Sequence, residues 1–187
     1  YLVTTTHPFN MKVNAANLLL TVICLNSIAK TKAASSGYAT FYGGNAAGNA
    51  CGFNGVATAS FPYGYYAAAG GGTFDSGYGC GKCFQITCIG AYGVNPDCSC
   101  GSEPTVTVEV LDQCPECSAA HFDLNPTAMA KIVGPGLSGT CGKIEITYER
   151  VDCAYGVNFR VRNKAGTSQF WYGLHLEDIA GDGSVTS

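Results

Sequence analysis

The segment His121-Phe122-Asp123-Leu124 sets a carboxyl group between two large apolar residues. Apolar surroundings disfavour the charged form of a carboxyl, because desolvation penalises it. A carboxyl held that way can give a proton or a hydrogen bond to a glycosidic oxygen. A second acid, Asp112, closes the run Thr105-Val-Thr-Val-Glu-Val-Leu-Asp112, and a loop with Cys114 and Cys117 separates the two. Paired carboxylates are the raw material of sugar chemistry, provided that the fold brings them together.

The elements that must position them are short. Val106, Val108 and Val110 alternate with polar residues, as a half-buried strand requires, and so do Phe84 with Ile86 and Ile144 with Ile146 and Tyr148. Residues 36–43, SGYATFYG, read as a further strand, and residues 67–72, AAAGGG, as a flexible connection. Asn125-Pro126 is a helix start, since Asn caps and Pro is tolerated at the first helical position. That helix runs from Thr127 to Val133 and stops at Gly134-Pro135-Gly136. Many short strands with Gly-rich turns and little helix predict an all-β, closed or nearly closed barrel.

Charged residues make up only 12% of the 187-residue chain against 47% apolar, which favours a packed core over disorder. A formal charge of −3 without a basic cluster argues against nucleic-acid binding and polybasic membrane attachment. Residues 1–34 read as leader and secretory signal: Met11-Lys12, an apolar stretch through Ile23, then small residues at Ala29, Ala33 and Ala34. Three of the ten Lys+Arg and none of the thirteen Asp+Glu lie in that stretch, so the mature part carries a formal −6. Of eleven cysteines, Cys24 falls in the signal. The ten that remain form an even set, which in an exported chain implies disulfides. The two CxxC pairs, Cys80/Cys83 and Cys114/Cys117, also admit a zinc reading, but export favours oxidation, and no metal or cofactor is expected. Beyond Val151-Asp152-Cys153 the composition changes. Val157-Phe159-Val161 and Phe170-Tyr172-Leu174-Leu176 read as two strands of a second unit, truncated at residue 187. Alternation would put those last four residues on a core face and turn Trp171 outward, where a flat amphipathic ring suits sugar stacking.

Five ordered motifs across residues 37–151 resemble those of expansins. They are Ala39-Thr40-Phe41-Tyr42-Gly43, Ala50-Cys51-Gly52, the run from Gly79 through Cys80, Cys83 and Phe84 to Ile86, Val108-Glu109-Val110-Leu111-Asp112, and His121-Phe122-Asp123-Leu124 with Ala128 after it. The resemblance implies that residues 35–151 form a six-stranded double-psi β-barrel with short helices, related to glycoside hydrolase family 45. Residues 152–187 would begin an immunoglobulin-like, carbohydrate-binding β-sandwich. It implies that Thr40 and Tyr42 line a glucan groove, that Asp123 is the counterpart of the hydrolase's proton donor, and that Asp112 is a second groove carboxylate. It further implies disulfides Cys51–Cys80 and Cys83–Cys141, with Cys88 joined to Cys98 or Cys100. Cys114 and Cys117 lie outside that framework.

The related hydrolases draw their base from near Tyr42. Residues 38–51, YATFYGGNAAGNAC, contain no Asp or Glu, only Asn45 and Asn49. An amide cannot take a proton from an attacking water. The expected function is therefore that of a secreted, cell-wall-localised, monomeric protein that binds cellulose, xyloglucan or another wall polysaccharide and disrupts non-covalent contacts without hydrolysis. The competing readings are an endoglucanase with Asp123 as acid and Asp112 or Asp75 as base, and a barwin-like carbohydrate-binding defence protein. His121 and His175 read as structural histidines.

Overall fold

The computed structural model describes residues 33–43, 48–53, 64–134, 136, 139–155 and 159–181. Residues 1–32 of the leader and signal, Asn45, Pro135 and Val157 lie outside them. The compact unit Ala34–Ser187 holds everything described below. Six strands close into a barrel: β1 (Ser35–Phe41), β2 (Tyr66–Ala69), β3 (Cys83–Ala91), β4 (Thr105–Gln113), β5 (His121–Leu124) and β6 (Ile144–Val151), in the order β1-β5-β2-β4-β3-β6. Two pairs are parallel, β1 with β5 and β2 with β4, and the other four are antiparallel. This is the closed all-β barrel that the strand pattern predicts, with the six strands that the resemblance implies, and it fits a double-psi barrel.

The alternating residues fill the interior. Val106, Val108, Val110, Ile86, Ile144 and Ile146 are buried. Phe122 sits among them, with its ring centroid 5.2 Å from that of Phe84 and 4.9 Å from that of Tyr148. The stretch 67–72 is not a flexible connection throughout. Ala67, Ala68 and Ala69 belong to β2, buried between β4 and β5. Their methyl groups carry no strand signal in the sequence, yet a strand paired on both sides has its backbone fully satisfied and needs little side chain. Gly70 follows because the loop before β5 comes close: a Cβ there would lie 1.9 Å from the Ser118 carbonyl oxygen.

The helix Pro126–Val133 is capped by Asn125 as expected. Asn125 is itself a buried strap. Its Oδ1 accepts from Ala128 N at 3.2 Å and Tyr66 N at 3.3 Å, and its Nδ2 donates to Gly64 O at 3.1 Å and Thr127 Oγ1 at 2.7 Å. A buried amide with every group used fixes β2 against β5.

Five disulfides tie the chain: Cys51–Cys80, Cys83–Cys153, Cys88–Cys100, Cys98–Cys141 and Cys114–Cys117. The Cys51–Cys80 pairing agrees with expectation, and Cys88 takes Cys100 of its two candidates. The Cys83–Cys141 pairing does not occur. Cys83 stands opposite Val151 in the β3–β6 ladder, so Cys153, two residues on, is within reach. Cys141 lies next to the loop that carries Cys98 and bonds there. All four cysteines of the CxxC pairs are thus oxidised, and among the described residues no group of three His, Cys, Asp or Glu is arranged to hold a metal.

After Cys153 the described residues form a two-stranded antiparallel sheet, β7 (Arg160–Asn163) with β8 (Leu174–Glu177). Phe170, Tyr172 and Leu174 do not turn to a core. Phe170 is 88% exposed and Tyr172 65%, because residues 168–173 lie in the loop ahead of β8 and do not alternate along a strand; Leu174, the first residue of β8, is 52% exposed. The hairpin is braced by its own ion pairs and meets the barrel through Arg162 and His175. Arg160 pairs with Asp178, and Arg162 with Glu177. Arg162 also donates to Gly52 O at 3.2 Å, and the His175 ring packs edge-on against Phe53. Glu177, Asp178 and the barrel residue Glu109 are all nearly fully buried at this junction.

Candidate functional site

Side chains pointing out of a strand recur every second residue. In β5, Phe122 and Leu124 point inward, and His121 and Asp123 point outward. Asp123 therefore does not share the apolar surroundings of its sequence neighbours; its environment is the outer face of β1. The parallel register sets Tyr38 opposite His121 and Thr40 opposite Asp123. Thr40 Oγ1 donates to Asp123 Oδ1. With its one proton committed there, Thr40 Oγ1 accepts from His121 Nε2, 2.9 Å away. Burial lowers the His121 pKa, opposed by Asp123, which keeps the ring neutral and suits a single N–H donor.

Asp112 reaches the same face by a different route. Simple alternation would send it inward after Val106, Val108 and Val110. The β2–β4 ladder slips by one residue between Ala67 and Ala68, so that Ala68 lies opposite Asp112. Such a bulge re-aims the side chains that follow it. Ala68 is also opposite Asp123 across β5. Asp112 and Asp123 thus flank Ala68 from the two strands on either side of β2, with Cα atoms roughly 10 Å apart, which is two strand spacings. Asp112 Oδ1 accepts from Ala50 N at 2.8 Å and Gln113 N at 2.9 Å, so two backbone donors hold it.

Tyr42 completes the group. It follows β1 and is anchored by its N–H to Leu124 O at 3.1 Å. Its ring meets that of Tyr66 edge-on at 6.4 Å. Burial first, then the Asp112 charge, Tyr66 and Asp123, hold its phenol well above the ordinary tyrosine range. It remains a neutral hydroxyl between two carboxyl groups. Thr40, Tyr42, Asp112 and Asp123, picked from the sequence, form one stripe. His121, read as structural, belongs to it. The signal was its position two residues before Asp123 on a strand, hence on the same face.

Asn49, where a base was sought, is buried and bonded within its own loop, with Nδ2 to Phe53 O and Phe53 N to Oδ1. Asp75 sits exposed in the turn beyond β2. Trp171 is 51% exposed and lies on the hairpin over Gly173, where a Cβ would meet its ring at 2.6 Å. A cleft of about 320 Å³ opens between the barrel and the hairpin. Ala50, Cys51 and Gly52 line one wall, and Arg162, Lys164 and His175 are among the residues of the other.

Residues 66–148 match the family model described as lytic transglycolase. Among curated proteins, the chain is 36% identical to expansin-B6 of Arabidopsis thaliana over 154 residues, which is 78% of this chain and 65% of that protein. It is also 36% identical to Arabidopsis thaliana expansin-B4 over 159 residues, 80% of this chain and 58% of that protein. The chain belongs to the expansin family. Among solved structures, the Clavibacter michiganensis expansin matches with a TM-score of 0.59 and 27% identity, covering 78% of this chain and 64% of the other. A mutant of that expansin in complex with cellohexaose matches at 0.60 and 26%, covering 80% and 66%. This expansin spans less than two thirds of the length of both Arabidopsis relatives.

Proposed function

We propose that this protein is a secreted, extracellular cell-wall protein that binds cellulose or a matrix glucan along the Tyr42–Asp112–Asp123–Thr40 stripe and loosens polysaccharide contacts without cleaving them. One observation carries the reading. The stripe offers hydroxyl and carboxyl groups on an open strand face, with Tyr42 to pack on a sugar ring, and its second carboxylate is engaged by two backbone N–H groups. Residues 38–51, where a base was sought, supply only the amides Asn45 and Asn49. Binding energy is then available to compete with glucan–glucan contacts, while the base needed for hydrolysis is not. The cellohexaose held by the Clavibacter relative supports a cellulose-type chain as ligand. Residues 152–187 are read as the start of a polysaccharide-binding β-sandwich, with Trp171 as a stacking surface.

The Asp112–Asp123 pairing across Ala68 is what favours the endoglucanase reading, since it sets two carboxyl groups on one face. Asp123→Ala is expected to weaken cellohexaose binding about ten- to a hundred-fold, the worth of a charged hydrogen bond. It should abolish the extension of heat-inactivated wall strips under constant load, with the melting temperature nearly unchanged, because the side chain lies on the surface. Full extension by the variant would refute the assignment of Asp123.

A further inference from the structure

The groove continues past His121 to a feature that the glucan reading leaves unused. Tyr38, two residues before Thr40, points out on the same face and stands opposite His121 in β5. Its ring meets Tyr92 edge-on at 5.1 Å. Lys143 lays its ammonium over both, 3.8 Å from the Tyr92 centroid and 4.6 Å from that of Tyr38. Tyr92 N donates to the Lys143 carbonyl at 3.3 Å, which couples the two residues through the backbone as well. Lys143 is near enough to His121 for its charge to act on the imidazole, so the triad faces the stripe. Tyr92 remains 48% exposed.

Two residues along a strand span roughly 7 Å, the scale of one sugar ring. The triad therefore stands about one ring beyond Thr40. An ammonium held over two aromatic faces has given up much of the freedom that an ordinary surface lysine loses on binding. The stripe is polar along its length: Asp112 and Asp123 at one end, Lys143 at the other. The acids placed beside the triad are Glu145, which pairs with Tyr38 in the β1–β6 ladder, and Glu116, which acts on His121.

Resting on the groove reading above, we infer that Tyr38, Tyr92 and Lys143 form an additional subsite that takes a carboxylated sugar, a uronic acid residue borne on a wall glycan. The exposed part of the Tyr92 ring receives the sugar face and Lys143 the carboxylate. The test compares binding of the full chain to glucuronoxylan and to the same polymer after its carboxyl groups have been reduced, with cellohexaose as the groove control. The acidic polymer should bind about three- to five-fold tighter at low salt, the scale of one partly exposed ion pair. Lys143→Met should erase that preference and Lys143→Arg retain it. Tyr92→Ala should weaken both polymers alike. Equal affinity for the two polymers in the unmodified protein, or a preference that survives Lys143→Met, overturns the subsite; that comparison needs no variant to fold. Intact cellohexaose binding in the same experiment confines the failure to the subsite, and absent cellohexaose binding overturns the groove reading along with it.

Discussion

Stability is expected to fall as pH rises from about 4.5 to about 8, and Glu109→Gln is expected to remove most of that fall. Glu109 is 2% exposed, and its Oε2 has no hydrogen-bond partner among the described residues. Burial raises its pKa from 4.5 to about 8, reinforced by Asp178 and Glu177 and opposed by Tyr155 and Arg160. A raised carboxyl keeps its proton in the folded protein over a range where the unfolded chain has lost it. The resulting stability is fully present below about 4.5 and is lost as pH rises through about 8. At ~1.4 kcal/mol per pH unit, the gap is worth up to ~5 kcal/mol. His121 works in the opposite sense. Its lowered pKa removes stability as pH falls through the ordinary histidine value near 6.5. Comparing Glu109→Gln with the parent by urea denaturation across pH 5 to 8.5 cancels that contribution. A difference between the two proteins that stays constant with pH would show that Glu109 does not titrate at the junction. The consequence for the fold is that the hairpin holds the barrel most firmly when Glu109 is protonated.

The second large effect is expected from the pair Cys83–Cys153. It spans a sequence separation of 70, and in the chain-entropy description closing a loop of that length is worth ~4 kcal/mol. It also fixes the point where Cys153 N donates to Gly181 O at 2.8 Å, so its loss releases the junction as well as the loop. The double variant Cys83→Ser/Cys153→Ser should lose ~4 kcal/mol in denaturant unfolding. Removing Cys114–Cys117, whose separation is 3, should cost ~2 kcal/mol or less. Equal losses from the two would show that loop length does not govern their contributions.

The strands that carried alternating branched and aromatic residues were legible, as was the Asn125 cap, because each rests on a local rule. β2 was not, since three alanines before a glycine triplet look like a linker and only the strands on either side make them a strand. Asp123 was legible as unusual but for the wrong surroundings. Flanking residues in sequence lie on opposite faces of a strand, and what touches Asp123 comes from β1 through a parallel register that no local pattern encodes. The same holds for the Cys83 partner, fixed by the β3–β6 register, and for Asp112, whose outward turn depends on a bulge. The charged junction was invisible because Glu109 lies in a run that reads as an ordinary half-exposed strand. The hairpin that buries it arrives more than fifty residues later.

The central claim is binding without cleavage, and the most direct measurement is reducing-end release from amorphous cellulose and xyloglucan by the disulfide-bonded protein, with Asp123→Ala as control. The account predicts no release above background from protein that demonstrably binds the polymer. Release that disappears in Asp123→Ala would contradict it, and would make Asp112 a working base.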